Sequence, residues 1–322
     1  MQKISWGLIG CGDIARRRVA PALRDLDNCN LHAVTRKRTE LVKDFAAEFD
    51  ASTWTESWQE LLKDDNIQAV YIATPVYLHA EQTIAAAKHG KHVLCEKPMA
   101  MSARECNEMI NACSENNVSL GIAYYRHFYP VIHRLKELLS QGKIGDVVAV
   151  HINAFSAFDP EPSHSRYWLI EPSKSGGGPM MDIGCHRIEV MLNLFGSIDI
   201  VRSIINTVHL DRNVEDTATA LFTFASGVHG VLSVSHAIHE KADTLRIYGT
   251  EGSFRVPNLN DGKLIIETKN ERQTEEHPPH PNLHLPLVKS FTDSILHIRQ
   301  FTVPGETGRE VNAILDQIYK RY

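Results

Sequence analysis

Three clusters in this chain combine residue types and spacings that can handle protons or anions. In Glu96-Lys97-Pro98, at the end of a short apolar run over 92–95, an ammonium can hydrogen-bond a hydroxyl or carbonyl oxygen and favour an alkoxide developing there. Partial burial lowers a lysine's pKa and lets it exchange protons near neutrality. The bland counterpart is a Glu96–Lys97 surface ion pair, worth little. Asp182 and His186 stand four apart, so on a helix both face one way. Glu189 and Asn193 extend that polar stripe, while Ile183, Val190 and Leu194, with Arg187 among them, occupy another face. The stripe can also be read as a satisfied polar surface or, less readily, as half of a metal site, and zinc needs at least a third ligand. His164, His209, His236 and His239 are available among 17 histidines, but none has diagnostic spacing, and no metal is expected. The third cluster, Gly10-Cys11-Gly12, closes the apolar run 4–9 and precedes Asp13-Ile14-Ala15. Gly10 allows a sharp turn off a strand, Gly12 lets backbone approach a pyrophosphate, and small Ala15 lets the following helix pack on a sheet. The unpaired amides of that helix's first turn then face the anion. The same pattern also serves as a plain tight turn.

The elements that must position these clusters follow from periodicity. Apolar runs at 4–9, 31–35, 69–73, 92–95 and 119–123 alternate with helical patterns at 38–49, 78–89 and 102–116. This rhythm predicts a parallel sheet with helices on both faces. Gly90 suits a helix C′ position and Ser102 an N-cap. Pro21 falls inside the first helical pattern and is expected to interrupt it. From about residue 146 the texture changes to β-rich runs at 147–154, 198–208, 217–224, 228–236, 244–248 and 263–267. Such a series predicts a mostly antiparallel sheet, with the helix beginning near Asp182 covering one face. A Pro/His-rich connection over 277–286 precedes a closing helix at 287–299 and a last one at 310–319.

Composition limits the function classes. A chain of 322 residues suits two domains. Its net charge of −5 argues against a nucleic-acid partner. No signal segment and no membrane-spanning run is read, so the expected location is the cytoplasm. The six cysteines lack C-x-x-C spacing and are read as reduced, mostly packed thiols.

The segment IATPVYLHAEQTIAAAKHGKHVLCEKPMA over 72–100, with GLIGCGDIA before it and GGGPMMDIGCHRIE after it, resembles the Gfo/Idh/MocA family of NAD(P)-dependent oxidoreductases across essentially the whole chain. The resemblance implies an N-terminal Rossmann domain over 1–124, a doubly wound parallel sheet. It implies a C-terminal α+β domain over 125–322, with a large, mostly antiparallel open sheet, for substrate binding and oligomerisation into dimers or tetramers. Substrates of the family are commonly sugars, inositols or related cyclic polyols. Cofactor contacts are then expected from Gly10, Cys11, Gly12, Asp13 and Ile14, and from Glu96 and Lys97. Ala73, Thr74 and Pro75 join them at the carboxyl end of a strand, where open α/β sheets bind ligands. His79 is implied near the nicotinamide ribose, with a surface helix histidine as the equal alternative. The matching family histidine gives or takes a proton, which makes His186 the leading general acid/base and Asp182 its partner in orienting the imidazole or substrate. Tyr125 and Arg126 are implied to face cofactor or substrate. Tyr167 and Trp168, in the loop 159–178, are either an aromatic rim for a sugar ring or anchors of the loop itself.

Charge speaks to the cofactor. A dinucleotide fold selecting NAD(H) places Asp or Glu at the end of its second strand, about 20 residues beyond the glycines, to bind the ribose 2′-OH. This chain has Thr35-Arg36-Lys37-Arg38 instead. A cluster of Arg36, Lys37 and Arg38 suits a 2′-phosphate, with Arg36 binding it as a fork and Thr35 donating a hydroxyl. The alternative is a solvated basic helix start. The expectation is NADP(H), with NAD(H) usable. The expected reaction is hydride transfer between C4 of the nicotinamide and a carbonyl or carbinol carbon of a sugar-like ring, with Lys97 and His186 managing the proton. The rival class is a non-catalytic protein of the same fold that binds dinucleotide or sugar and regulates a partner.

Overall fold

The computed structural model describes residues 2–320. Strands β1 (Ile4–Ile9), β2 (Cys29–Thr35), β3 (Thr53–Thr55), β4 (Ala69–Ile72), β5 (His92–Cys95) and β6 (Leu120–Ile122) form one sheet in the order β3-β2-β1-β4-β5-β6. Every pair is parallel, the doubly wound dinucleotide-binding order. Four consecutive residues of β4 are buried, as a strand covered on both faces requires. The caps fall where residue types place them: Ser102 accepts the Glu105 amide at 3.3 Å, and Gly90, at φ +69°, follows the helix His79–Lys88. Pro21 does disturb the first helix. A wide π-type turn over Ala15–Val19 leads into a short α segment, Ala20–Asp25, with Pro21 in its first turn.

The chain divides into two compact units, one running up to Tyr125 and taking in His280–Asn312, the other comprising Arg126–Pro279 and the chain from Ala313 onward. The return of 280–312 to the first unit differs from the boundary read in the sequence. Helix Leu285–Ile295 buries Leu287, Val288 and Phe291, and Phe291 meets Trp6 of β1 at 6.0 Å between ring centroids. Ile122 of β6 donates to Val303 O at 3.0 Å. A Cβ on Gly121 would come 2.7 Å from Phe291 and 2.6 Å from Phe301, so glycine there lets these rings lie on the edge strand. An amphipathic pattern announces that a helix is buried; it does not say against what.

The second unit contains β7 (Val147–Phe155), β8 (Ile198–Asn206), β9 (Thr217–Phe224), β10 (His229–Ser235), β11 (Ala242–Gly249), β12 (Gly252–Val256), β13 (Lys263–Thr268) and β14 (Arg272–Glu276) in the order β14-β13-β12-β11-β7-β10-β9-β8. Only β7–β10 is parallel. Strict alternation along β9 and β11 buries Ala218, Ala220, Phe222, Leu245 and Ile247, with helices Pro130–Ser140 and Cys185–Phe195 in the same unit. Ile204 and Leu221, of opposite parity to that core, are 70% and 52% exposed, so the sheet is open on its other face. Strand β14, all polar in RQTEE, carries no apolar signal and escapes sequence reading, as does the three-residue β3.

Candidate functional site

Within the first unit, the glycine turn, Thr35 and Arg36 come together. Gly10 has φ +99°, and a Cβ there would lie 2.7 Å from Ala73 O, so conformation and space both demand glycine. Its amide donates to Thr35 O at 3.1 Å. Gly12 has no atom within 4 Å of an added Cβ, which leaves its backbone open to a ligand. Arg36 donates through Nη1 to Cys11 O at 2.7 Å, fixing a guanidinium at the rim of the turn, next to exposed Lys37 and Arg38. Asp13 is exposed and lies 3.7 Å from Arg17; Ile14 is half-buried. Burial pushes the Cys11 thiol up to about 12 against the nearby Arg36 and Arg16 charges, so this cysteine is a packing residue. Room at Gly12 and a positive-φ Gly10, with Arg36 anchored at the rim of the turn, fit a dinucleotide.

Two residues expected to touch cofactor have internal hydrogen-bond partners. His79 is wholly buried, its Nδ1 3.1 Å from Pro98 O and its Nε2 2.9 Å from Thr74 O. It ties the end of β4 to the end of β5, and burial lowers its pKa. Thr74 donates to Gln82 Oε1 at 2.7 Å, and Ala73, Thr74 and Pro75 remain half-buried at the strand end. Glu96 is also buried, accepting from Tyr71 OH at 2.8 Å, His284 Nε2 at 3.2 Å and the Lys97 amide at 3.2 Å. Lys97 is half-buried, at the end of β5 and followed by a cis peptide to Pro98. His284, wholly buried, packs its ring 4.9 Å from that of Tyr125, and the Arg18 guanidinium also lies over the Tyr125 ring at 5.2 Å. Sequence reading missed His284; its only signal was a histidine in the Pro/His-rich connection.

Burial works to raise the Glu96 carboxyl, but the His284 hydrogen bond and charge, followed by Lys97 and Tyr71, outweigh it and bring it from 4.5 to about 2. A depressed folded-state value means that Glu96 stabilises fully above the unfolded value and that this contribution is lost as pH falls from about 4.5 to about 2. Glu96→Gln is therefore expected to flatten the acid limb of a Tm-against-pH curve in that window, by on the order of 5 °C. Parallel curves for the two proteins would contradict the network.

In the second unit, Asp182 lies in a π-type turn, Met180–Gly184, that runs into the α-helix Cys185–Phe195. The helix read from Asp182 is thus wider at its start than the spacing assumed. His186 is 3% exposed. Asp182 Oδ2 is 3.4 Å from Arg166 Nη2 and 3.6 Å from His236 Nε2. Arg166 lies over the Phe158 ring at 4.7 Å, and the same ring meets His236 at 5.1 Å. Arg166 belongs to the loop 159–178, and Phe158 immediately precedes it; Tyr167 and Trp168, named from the sequence, are both half-buried. Arg126, expected to face a ligand, is 4% exposed and donates to Asp243 Oδ2 at 2.7 Å, while Arg187 Nη2 lies 2.6 Å from Oδ1. This pairing of two buried cations with one carboxylate gives Arg126 a structural role. Glu189 is likewise internal: it accepts from His127 Nδ1 at 2.7 Å, and burial raises its pKa. Among the described residues, no group of three His, Cys, Asp or Glu side chains is placed to hold a metal, and no helix is long and apolar enough to cross a membrane.

A family model described as "Oxidoreductase family, NAD-binding Rossmann fold" (GFO_IDH_MocA) matches residues 4–124, and its companion, "GFO/IDH/MocA C-terminal domain", matches 132–255. "Oxidoreductase P35" from Formosa agariphila is 35% identical over 62% of this chain and 63% of its own length. The chain is 32% identical to scyllo-inositol 2-dehydrogenase (NADP(+)) from Bacillus subtilis, over 80% of this chain and 77% of that protein. In fold it is similar to the crystal structure of aldose-aldose oxidoreductase from Caulobacter crescentus complexed with glycerol, with a TM-score of 0.90, 24% identity and coverage of 99% and 97% of the two chains.

Proposed function

The chain belongs to the Gfo/Idh/MocA oxidoreductase family, and from that membership we propose that it transfers a hydride between NADP(H) and a carbonyl or carbinol carbon of a sugar, inositol or related cyclic polyol. The observation that carries the cofactor assignment is Arg36, held on the Cys11 carbonyl at 2.7 Å where an NAD(H)-selecting chain keeps a carboxylate. The relative named for scyllo-inositol and NADP(+) supports both halves of the reading.

NADPH, when bound, would supply the hydride, and NADP+ would accept it. Gly10, Cys11 and Gly12 would hold the pyrophosphate, and Thr35, Arg36 and Arg38 the 2′-phosphate. Lys97 hydrogen-bonds the reacting oxygen and favours its alkoxide character. His186, with Asp182 to orient it, gives or takes the proton. His79 and Glu96 act through others, fixing the strand ends that carry Thr74 and Lys97. The exposed Ile200, Ile204 and Leu221 of the second sheet's open face suit pairing with a second copy, as a homodimer or homotetramer.

The test is incubation with NADPH and a panel of keto-sugars and keto-inositols, with and without a chelator. Chelator-insensitive turnover is expected; NADPH binding without turnover on any substrate would favour a regulatory protein instead. Arg36→Ala is expected to weaken NADPH binding by about 1.5–3 kcal/mol, the usual worth of a charged hydrogen bond, and NADH binding by much less. Fluorescence titration checks this, and equal wild-type affinity for the two cofactors removes the preference.

A further inference from the structure

The amides that open the helix carrying Asp182 and His186 have no side-chain cap of their own: Pro179 stands at the N-cap position and contributes no N–H. Their acceptor comes from elsewhere. Glu215 Oε2 accepts from the Gly178 amide at 2.8 Å and Oε1 from the Met180 amide at 3.1 Å, so one carboxylate spans the proline. Tyr319, near the end of the last helix, donates to Oε1 at 2.5 Å, within the range of a charge-assisted O–H···O⁻ bond. A negative charge here also meets the positive end of the helix dipole.

The surroundings show why these groups approach so closely. A Cβ on Gly178 would fall 2.0 Å from Glu215 O, and one on Gly177 2.3 Å from the Tyr319 hydroxyl. The glycines are what admit the clamp. Glu215 is itself fixed: Arg212 donates to its carbonyl at 2.8 Å, and the next residue, Asp216, accepts three amides from Val208, His209 and Leu210 at 3.0, 2.7 and 2.8 Å. Glu215 is 9% exposed, and its carboxylate accepts from the helix start, two residues before Asp182.

We propose that Glu215, buttressed by Tyr319, is a positioning residue that sets the depth and rotation of the helix start bearing Asp182 and His186. This rests on the proposed dehydrogenase reading for its consequence in turnover. It acts through the backbone and touches no substrate. Replacing one carboxylate oxygen by an amide NH2 removes an acceptor from Gly178 or Met180, and the helix start loosens.

Glu215→Gln is expected to lower kcat about tenfold through misplaced Asp182 and His186, with KM and NADPH affinity little changed. Hydrogen exchange is expected to speed up at the Gly178 and Met180 amides. Folded Glu215→Gln protein with wild-type kcat and wild-type exchange overturns the proposal, and so does a fall in kcat with exchange unchanged, which would make the carboxylate a direct participant. If that variant does not fold, Tyr319→Phe keeps both amide bonds and reads the same clamp. It is expected to raise Met180 exchange and lower kcat about two- to threefold, and no change in either overturns the proposal. Exchange is measured on the protein without substrate. A wild type that turned over no sugar would therefore sink the dehydrogenase reading while the amides still decided the clamp.

Discussion

Lys97→Met is expected to lower kcat by about 10² or more, the scale of a lost proton-handling or charge-stabilising group, while NADPH affinity stays close to wild type. Methionine keeps the length and apolar stem of lysine and removes only the ammonium. The backbone around it is held independently of that charge: the Lys97 amide donates to Glu96 Oε2 at 3.2 Å, and the same carboxylate accepts from Tyr71 and His284. A loss of rate can then be assigned to the ammonium and not to collapse of the strand end. His186→Asn is expected to cost a similar factor. Asparagine retains a hydrogen-bonding group but has no titratable nitrogen, so an effect on the pH–rate profile as well as on kcat separates proton transfer from simple binding. Steady-state kinetics with cofactor titration checks both variants. Activity that survives the double change would discredit these roles.

How far the sequence carries depends on whether a residue's job is local. Gly10 and Gly12 were legible because glycine answers a backbone requirement within a few residues, and Ser102 and Gly90 because caps are short-range. The alternation of apolar runs and helical patterns likewise gave a parallel sheet, and the later period-two runs an antiparallel one. Long-range partners were not legible. Glu96 reads as a cofactor contact from its place in Glu96-Lys97-Pro98, yet its carboxylate is taken by His284, 188 residues away. Arg126 reads as a ligand contact, yet it is committed to Asp243 across 117 residues. His79 sits in the right helix turn to meet a ligand and is wholly buried between two carbonyls. In each case the residue type announces a polar need, and only the fold says whether protein or ligand meets it. The segment 280–312 follows the same rule: its apolar face was plain, but its partner, the sheet of β1 and β6, lies at the other end of the chain.

The largest effect on stability is expected at Asp243. Its carboxylate pairs with Arg126 Nη2 at 2.7 Å and Arg187 Nη2 at 2.6 Å, and all three side chains are under a tenth exposed. Asn260 Nδ2 adds a bond to Oδ2 at 3.2 Å. Burial works to raise this carboxyl, but Arg187 and then Arg126 outweigh it and hold it below the ordinary range. The stabilisation is therefore present above the unfolded carboxylate value of 3.8 and is lost as pH falls through the lower folded value. Asp243→Ala removes the shared counter-charge and leaves two guanidinium groups facing each other in a buried site. That is expected to cost about 3–5 kcal/mol, the penalty for breaking a buried pair from one side. Urea unfolding at pH 7, followed by Trp168 of the second unit against Trp6, Trp54 and Trp58 of the first, reads where the loss falls. A triple replacement of Arg126, Arg187 and Asp243 by apolar residues of similar volume is expected to cost much less than the single change, because it removes the desolvation penalty together with the attraction. An Asp243→Ala loss under about 1 kcal/mol, the range of an exposed pair, would mean that water reaches these charges and that the network is a surface feature.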